Sequence, residues 1–368
     1  MKVSFIMFPR FPKGQRAIRR LRAFNSSPRS RLRAFTLASR THQTLKFWRP
    51  QATFRRAWGL LSDFKYEQTR PDIFYGHLAA DTVSLIAAVW RGATASDKKT
   101  ANHPNRPSNG RSLAGTRVLD VGGGPGYFGV AFSEADAEYF TCEPDVGEMA
   151  AAGIKLQSSV RGSGLDLPFL DDSFDITYSS NVAEHVPDPW RMADEMLRVT
   201  KPGGIVIYSY TVWLGPFGGH ETGLWEHYVG GEFAARRYRK RHGKEPKNRW
   251  GESLFDVSAA DGVRYGWSTE GPGSERTYSG RTCSGDTCAG DSGSGHGGSK
   301  RDLQEVNSAG THRFVTDHDL VAAATANGTA EFIAAFPRYH PWWAWWAVHI
   351  PVFREFAVSN LVIVLRKK

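Results

Sequence analysis

"VLDVGGGPGYFG", Val118 to Gly129, carries two glycine patterns laid over one another. Read from Gly124 it is G-x-G-x-x-G, through Gly126 and Gly129, the turn that admits a dinucleotide's pyrophosphate. Read from Asp120 it is an acid closing an apolar run, followed by G-x-G-x-G through Gly122, Gly124 and Gly126. Both patterns bring backbone close to a ligand at a helix N-terminus. Both also want an acid roughly 20 residues on for a ribose diol, and Glu143, 19 residues after Gly124, serves either. Asp120 separates them. A carboxylate two residues before the glycines crowds a pyrophosphate, yet suits the ammonium of an amino acid.

Outward from that loop the chain alternates strands and helices. "TRVLDV" and "AEYFTCEPD" read as strands on either side of the helix "YFGVAFSEADA". "SFDITYSS" is a further strand, and "PWRMADEMLRVT" an amphipathic helix that "KPGG" stops before the apolar strand "IVIYSY". Upstream, "PDIFYGHLAADTVSLIAAVW" has helical spacing behind a proline at a helix-start position. Downstream, "HRFVTDHDLVAAATANG" reads as a helix, and "TAEFIAAFPRY" and "SNLVIVLRKK" as two closing strands. This alternation predicts an α/β fold with an open, mostly parallel sheet. In such sheets the ligand lies beyond the strands' carboxyl ends, where strand order reverses.

With "GLDLPFLDDSFD", "SNVAEHV" and "LRVTKPGG" following in order, residues Val118 to Tyr210 resemble the class I S-adenosylmethionine-dependent methyltransferases, in particular the small-molecule group sharing LDVGxGxG, LPFxDxSFD, EHV and KPGG. Residues 314–365 resemble the family's last helix and two strands more loosely. The resemblance implies a Rossmann-like, seven-stranded, mostly parallel sheet with helices on both faces and the last strand antiparallel. It implies S-adenosylmethionine as cofactor, with Asp120 near the methionine ammonium, Gly122, Gly124 and Gly126 beneath the cofactor, and Glu143 on the ribose hydroxyls. Where the family often carries an adenine-binding Asp this chain has Ser163, so Ser163 or the backbone of Gly164 and Leu165 must substitute. Asn181 is expected to face the donor's methionine end or the acceptor.

Methyl transfer from a sulfonium is an in-line displacement, so alignment does most of the work. A base is needed only if the acceptor loses a proton. Candidates are His185, in "SNVAEHVPDPW", and His220 and Glu221, in "GPFGGHETGLWEHYVGG", with His227 and Tyr228 nearby. Glu184 and His185 have an alternative reading as capping groups. The histidine spacing is not that of a zinc protease, and no metal is expected. No Asp/Asn-Pro-Pro-aromatic and no Pro-Cys follow the fourth strand, which argues against amino-methylation of nucleic acid and against cysteine attack on a pyrimidine.

Charge is uneven. Residues 1–56 hold 15 Lys/Arg and no acid, against 32 basic and 37 acidic residues in the rest, so the net +10 does not describe the body. That head has the composition of a transit peptide or, the preferred reading, of a disordered extension. The expected organisation is an extension over 1–56, a methyltransferase domain over 57–265, a Gly/Ser-rich insertion over 266–311, and closing elements over 312–368. Gly and Ser supply 17 of the 34 residues from Gly266 to Ser299. Cys142, Cys283 and Cys288 form no disulfide framework, which suits a reducing, cytoplasmic compartment. No stretch is expected to span a membrane.

Two segments point to a small or lipid-like acceptor. "PWWAWWAVHIPVF", residues 341–353, places four Trp within five positions, with Arg338, His340 and Arg354 beside it. Residues 235–249 hold eight Lys/Arg and one Glu. Together they suggest peripheral membrane contact, O- or C-methylation, and no obligate protein partner. Alternatives are an RNA methyltransferase, served by the same basic segments, and a donor-binding regulatory or assembly protein without turnover.

Overall fold

A computed structural model describes residues 28–66, 69–95, 113–124, 126–145, 147, 153–154, 158–270 and 328–368. All but the last residue of the helix expected over 312–328, and most of the Gly/Ser-rich segment, lie outside the described residues.

Along the chain the helices are α1 (Pro28–Thr44), α2 (Phe54–Asp63), α3 (Pro71–Ala95), α4 (Tyr127–Glu134), α5 (Pro189–Val199), α6 (Glu226–Val229), α7 (Gly231–His242), α8 (Ala259–Ser268) and α9 (Phe353–Ala357). The strands are β1 (Arg117–Val121), β2 (Glu138–Glu143), β3 (Ser159–Arg161), β4 (Phe174–Ser180), β5 (Thr200–Thr211), β6 (Ala330–Pro337) and β7 (Asn360–Lys367). They form one seven-stranded sheet in the order β3-β2-β1-β4-β5-β7-β6. The first five run parallel, and β7 lies antiparallel between β5 and β6. The sheet order turns back between β1 and β4, and the glycine loop leaves from β1 at that point.

Strand alternation sends successive side chains to opposite faces. On β5, Ile205 and Ile207 join one core with Ile176, Val362, Val364 and the apolar side of α3. Val206, Tyr208 and Tyr210 join the other, against Met192 and Met196 of α5 and Val263 of α8. Asp188 caps α5 by accepting from Arg191 N at 3.1 Å, and Pro189 fills its first position.

Three sequence expectations need correction. Residues 28–56 are not an extension. Helix α1 lies along β6, the edge strand: Thr41 Oγ1 accepts from Ala335 N at 3.1 Å, Thr44 Oγ1 donates to Ile333 O at 3.2 Å, and Arg40 donates to Phe332 O at 3.0 Å. Leu37, Leu45, Trp48 and Ala52 are buried, so the segment completes the core and covers a strand edge. Residues 266–270 likewise belong to the domain, since Gly266 and Ser268 end α8 and Ala330 N donates to Thr269 O at 3.3 Å. Finally, α3 is long and apolar enough, by length and composition, to cross a membrane. In this fold it packs against the sheet, with Ile86, Val89 and Trp90 buried in the core.

Candidate functional site

The loop after β1 turns through three left-handed glycines, Gly122, Gly124 and Gly126, at φ 83°, 53° and 91°. Such angles are routine for glycine and costly for other residues. Space differs along the loop. A Cβ on Gly122 would run into the Val182 side chain, while one on Gly124 would meet nothing within 4 Å. Backbone is therefore open to a ligand at Gly124.

Two carboxylates lie beside that loop, Glu143 at Gly124 and Asp120 beneath Gly123. Glu143, ending β2, accepts from Gly124 N at 3.3 Å and from Asp145 N at 3.2 Å, which fixes it against the loop. Asp120 is buried on β1 and accepts from the Tyr139 hydroxyl at 2.9 Å. Burial pushes its carboxyl up to about 7, the tyrosine hydroxyl opposing and the Glu143 charge adding to the rise. A cation beside Asp120 would restore its charge. This arrangement suits a ligand with an ammonium and a ribose diol.

On the neighbouring side, β4 and β5 release their loops. Ala183–His185 and His220–Thr222 are short 3-10 turns that bring Glu184, His185 and His220 together, with one potential ligand atom of each within 4.8 Å of the others. The two imidazole centroids are 5.1 Å apart. His185 Nδ1 donates to Ser253 O at 2.7 Å and His220 Nδ1 to Gly218 O at 3.3 Å. Burial holds His220 below the ordinary histidine range, with the Glu184 charge opposing. His220 also has a left-handed backbone at φ 47°, uncommon for a residue with a side chain.

Residues 119–208 match the family described as "Methyltransferase domain". Over 319 residues, 86% of this chain and 95% of the relative, the sequence is 46% identical to an uncharacterized methyltransferase of Mycobacterium marinum. It is 45% identical over 320 residues to one of Mycolicibacterium gilvum, covering 86% of this chain and 96% of that protein. The chain belongs to the class I S-adenosylmethionine-dependent methyltransferases. Its cofactor is S-adenosylmethionine.

Other expected site residues of this methyltransferase have different partners. Glu221 accepts from Asn248 N at 2.7 Å and Asn248 Nδ2 at 2.8 Å, so it anchors the loop after α7 and does not join the histidines. Asn181, at φ 56°, accepts from Asn360 Nδ2 at 2.6 Å, tying the end of β4 to β7. Ser163 Oγ accepts from Leu165 N at 3.1 Å, which shapes the turn through Gly164 beyond β3. His227 is buried, and its Nε2 donates to Gly215 O at 3.1 Å. Sequence reading passed over Glu184 as a site member and Tyr139 altogether. Tyr139's signal was weak: it lies on the adjacent strand two residues before Thr141, the register partner of Asp120, a proximity that only the β1–β2 alignment reveals.

Proposed function

We propose that this enzyme methylates a lipid-like acceptor at oxygen or carbon, docking at a membrane surface to reach it. The observation that carries this reading is an apolar band at the carboxyl end of the sheet. Strand β6 runs parallel to β5, so the segments after both strands leave from the donor loop's end of the sheet. On them Leu224, Trp225, Tyr228, Trp343, Trp346, Phe353 and Phe356 are exposed. Tyr228 and Phe356 meet at 6.1 Å, and Trp346 stacks on Phe353 at 5.5 Å. A contiguous exposed apolar surface of this kind marks an interaction site.

Charge supports docking only in part. Arg338 and Arg354 are buried and give the band no surface charge. Within the basic run, Arg237 and Arg241 bind the buried Glu226 carboxylate at 3.2 and 3.0 Å. Arg236, Lys240 and Lys244 remain exposed on and just past α7. Aromatic insertion is thus the main contribution, with the basic face secondary.

The cofactor supplies a methyl group on a sulfonium. Asp120 holds the ammonium, Glu143 the ribose hydroxyls, and the open backbone at Gly124 lets the ligand lie close. The acceptor enters beside His185 and His220, where loss of its proton is arranged. The glycine-bounded segment from Gly215 to Gly223 excludes water over the reacting atoms.

Incubating the full chain with methyl-labelled donor and vesicles of extracted anionic lipid tests the reading. Label is expected in the organic phase; label confined to added RNA would replace this function with RNA methylation. Trp346→Ser with Phe353→Ser should cut vesicle co-sedimentation about tenfold or more, since two aromatic insertions contribute on the order of 1.5–3 kcal/mol each. Donor affinity should stay unchanged. Undiminished co-sedimentation would rule out the band as the docking surface.

A further inference from the structure

We propose that Glu184, His185 and His220 bind one divalent transition-metal ion of the zinc and iron(II) class, between the carboxyl ends of β4 and β5. The strongest argument is an unsatisfied charge. Glu184 is buried, one carboxylate oxygen accepts from Thr211 N at 3.1 Å, and the other has no hydrogen-bond partner. A buried anionic oxygen left without a partner is costly, and native structures rarely leave one unexplained. A cation at that oxygen removes the cost.

The histidines supply the rest of the shell. Each neutral imidazole commits its Nδ1–H to a backbone carbonyl, Ser253 O for His185 and Gly218 O for His220. The lone pair then resides on Nε2 in both rings. This is the orientation that metal-binding histidines share, with the second nitrogen donating to a carbonyl. The Trp250–Val257 loop braces the pair from behind, because Phe255 N also donates to Glu184 O at 2.8 Å. Potential ligand atoms within 4.8 Å of one another need to close to about 3.3 Å around an ion with bonds of about 2.0–2.1 Å. Binding therefore requires the three side chains to draw together around the ion. Two imidazoles and one carboxylate suit zinc or iron(II) and leave coordination positions open.

Open positions give the ion a chemical role, which rests on the acceptor entering on this side. An acceptor hydroxyl bound there loses its proton to water more readily, because the ion stabilises the alkoxide or phenolate. That oxygen then forms its bond to the methyl carbon as the carbon–sulfur bond breaks. The bonding pair goes to sulfur, the sulfonium charge is cancelled, and a neutral ether and thioether result. The site therefore favours oxygen over carbon as the methylated atom.

Metal binding is read directly on the full-length chain, stripped with a chelator and titrated with zinc, and with cobalt(II) for its visible ligand-field bands. One equivalent of zinc is expected, with cobalt bands of a low-coordinate nitrogen–oxygen site. His220→Ala and His185→Gln should each weaken zinc binding by about 100-fold or more, at or beyond the upper end of what losing an outer partner costs. S-adenosylmethionine titration of the same variants, expected at wild-type affinity, shows that they fold. Glu184→Gln should behave likewise, though its burial makes the histidine variants the firmer test. Failure to bind zinc, or full zinc affinity in both histidine variants, overturns the site. Stoichiometric zinc with no methylation of any lipid hydroxyl upholds the site and removes the lipid function. Lipid methylation at full rate in metal-free protein upholds the lipid function and overturns the ion's chemical role.

Discussion

Asp120→Asn should abolish measurable binding of S-adenosylmethionine while making the empty protein more stable at pH 8. The two effects share one cause. Burial lifts the Asp120 carboxyl to about 7, roughly 3 units above an ordinary aspartate. The folded chain consequently holds this proton more tightly than the unfolded one. Stability is highest below the unfolded value near ~4, falls as pH climbs toward the folded value near 7, and stays reduced above it. The full cost above that window is about 4 kcal/mol at most, at ~1.4 kcal/mol per unit. Asparagine carries no charge and escapes it. A melting temperature some 5–10 °C above wild type at pH 8 is expected for a domain of this size, with the gain shrinking through pH 5 and vanishing near pH 4. On the binding side, removing the carboxylate leaves an ammonium without its partner, a loss of about 100-fold or more. Wild-type affinity should itself rise about tenfold from pH 6 to pH 8, as the carboxylate ionises. Calorimetric titration at both pH values, with thermal melts of both proteins, measures every part. An affinity independent of pH, or an Asn variant that binds as well as wild type, would take Asp120 out of the donor site.

What the sequence revealed of this fold follows from how far apart the interacting residues lie. The β1–loop–α4–β2 unit is local, with each glycine and acid within one strand–helix–strand segment, so the ligand class could be read from Asp120, Gly124 and Glu143 directly. The seven-stranded sheet with its last strand antiparallel followed from the family resemblance, whereas the order β3-β2-β1-β4-β5-β7-β6 is carried by no pairing signal in the strands. The acceptor side was read less well for a physical reason. Glu184 and His220 sit on loops from different strands, and linear spacing carries no information about two loops that converge only once the strands pair. Sequence reading instead joined His220 to its neighbour Glu221, whose carboxylate is held by Asn248. The Trp-rich segment divided in a way that only packing decides, with Trp345 buried against Phe336 and Trp343 and Trp346 outside.

A chain beginning at Arg55 should fail to give soluble, folded protein, whereas one beginning at Pro28 should behave as full length. Acid-free, arginine-rich composition gives residues 1–56 the character of a tail, and only the spacing of the apolar residues argues otherwise. Leu37, Thr41, Thr44, Leu45 and Trp48 fall at the intervals of one helical face continued into the following turn, and all are buried. Their removal forfeits about 4.5–9 kcal/mol of apolar burial from Leu37, Leu45 and Trp48 alone, at roughly 1.5–3 kcal/mol each. That is comparable with the whole net stability of a typical domain, about 5–15 kcal/mol. It also strips the edge of β6, where Thr41, Thr44 and Arg40 now hold backbone groups of Phe332, Ile333 and Ala335. A bare apolar edge strand invites pairing with other chains, so aggregation is expected over a soluble unfolded state. A point substitution isolates the same interface. A Cβ on Gly92 would overlap the Thr44 carbonyl oxygen, a backbone atom with no freedom to move aside. Gly92→Ala in the full chain should therefore lower stability by about 1–3 kcal/mol, the range for overpacking, despite alanine's better helix propensity. The soluble fraction on expression, size-exclusion profiles and urea melts of the four chains decide the matter: a monomeric, cooperatively melting protein from Arg55 onward would return α1 to the status of an appendage.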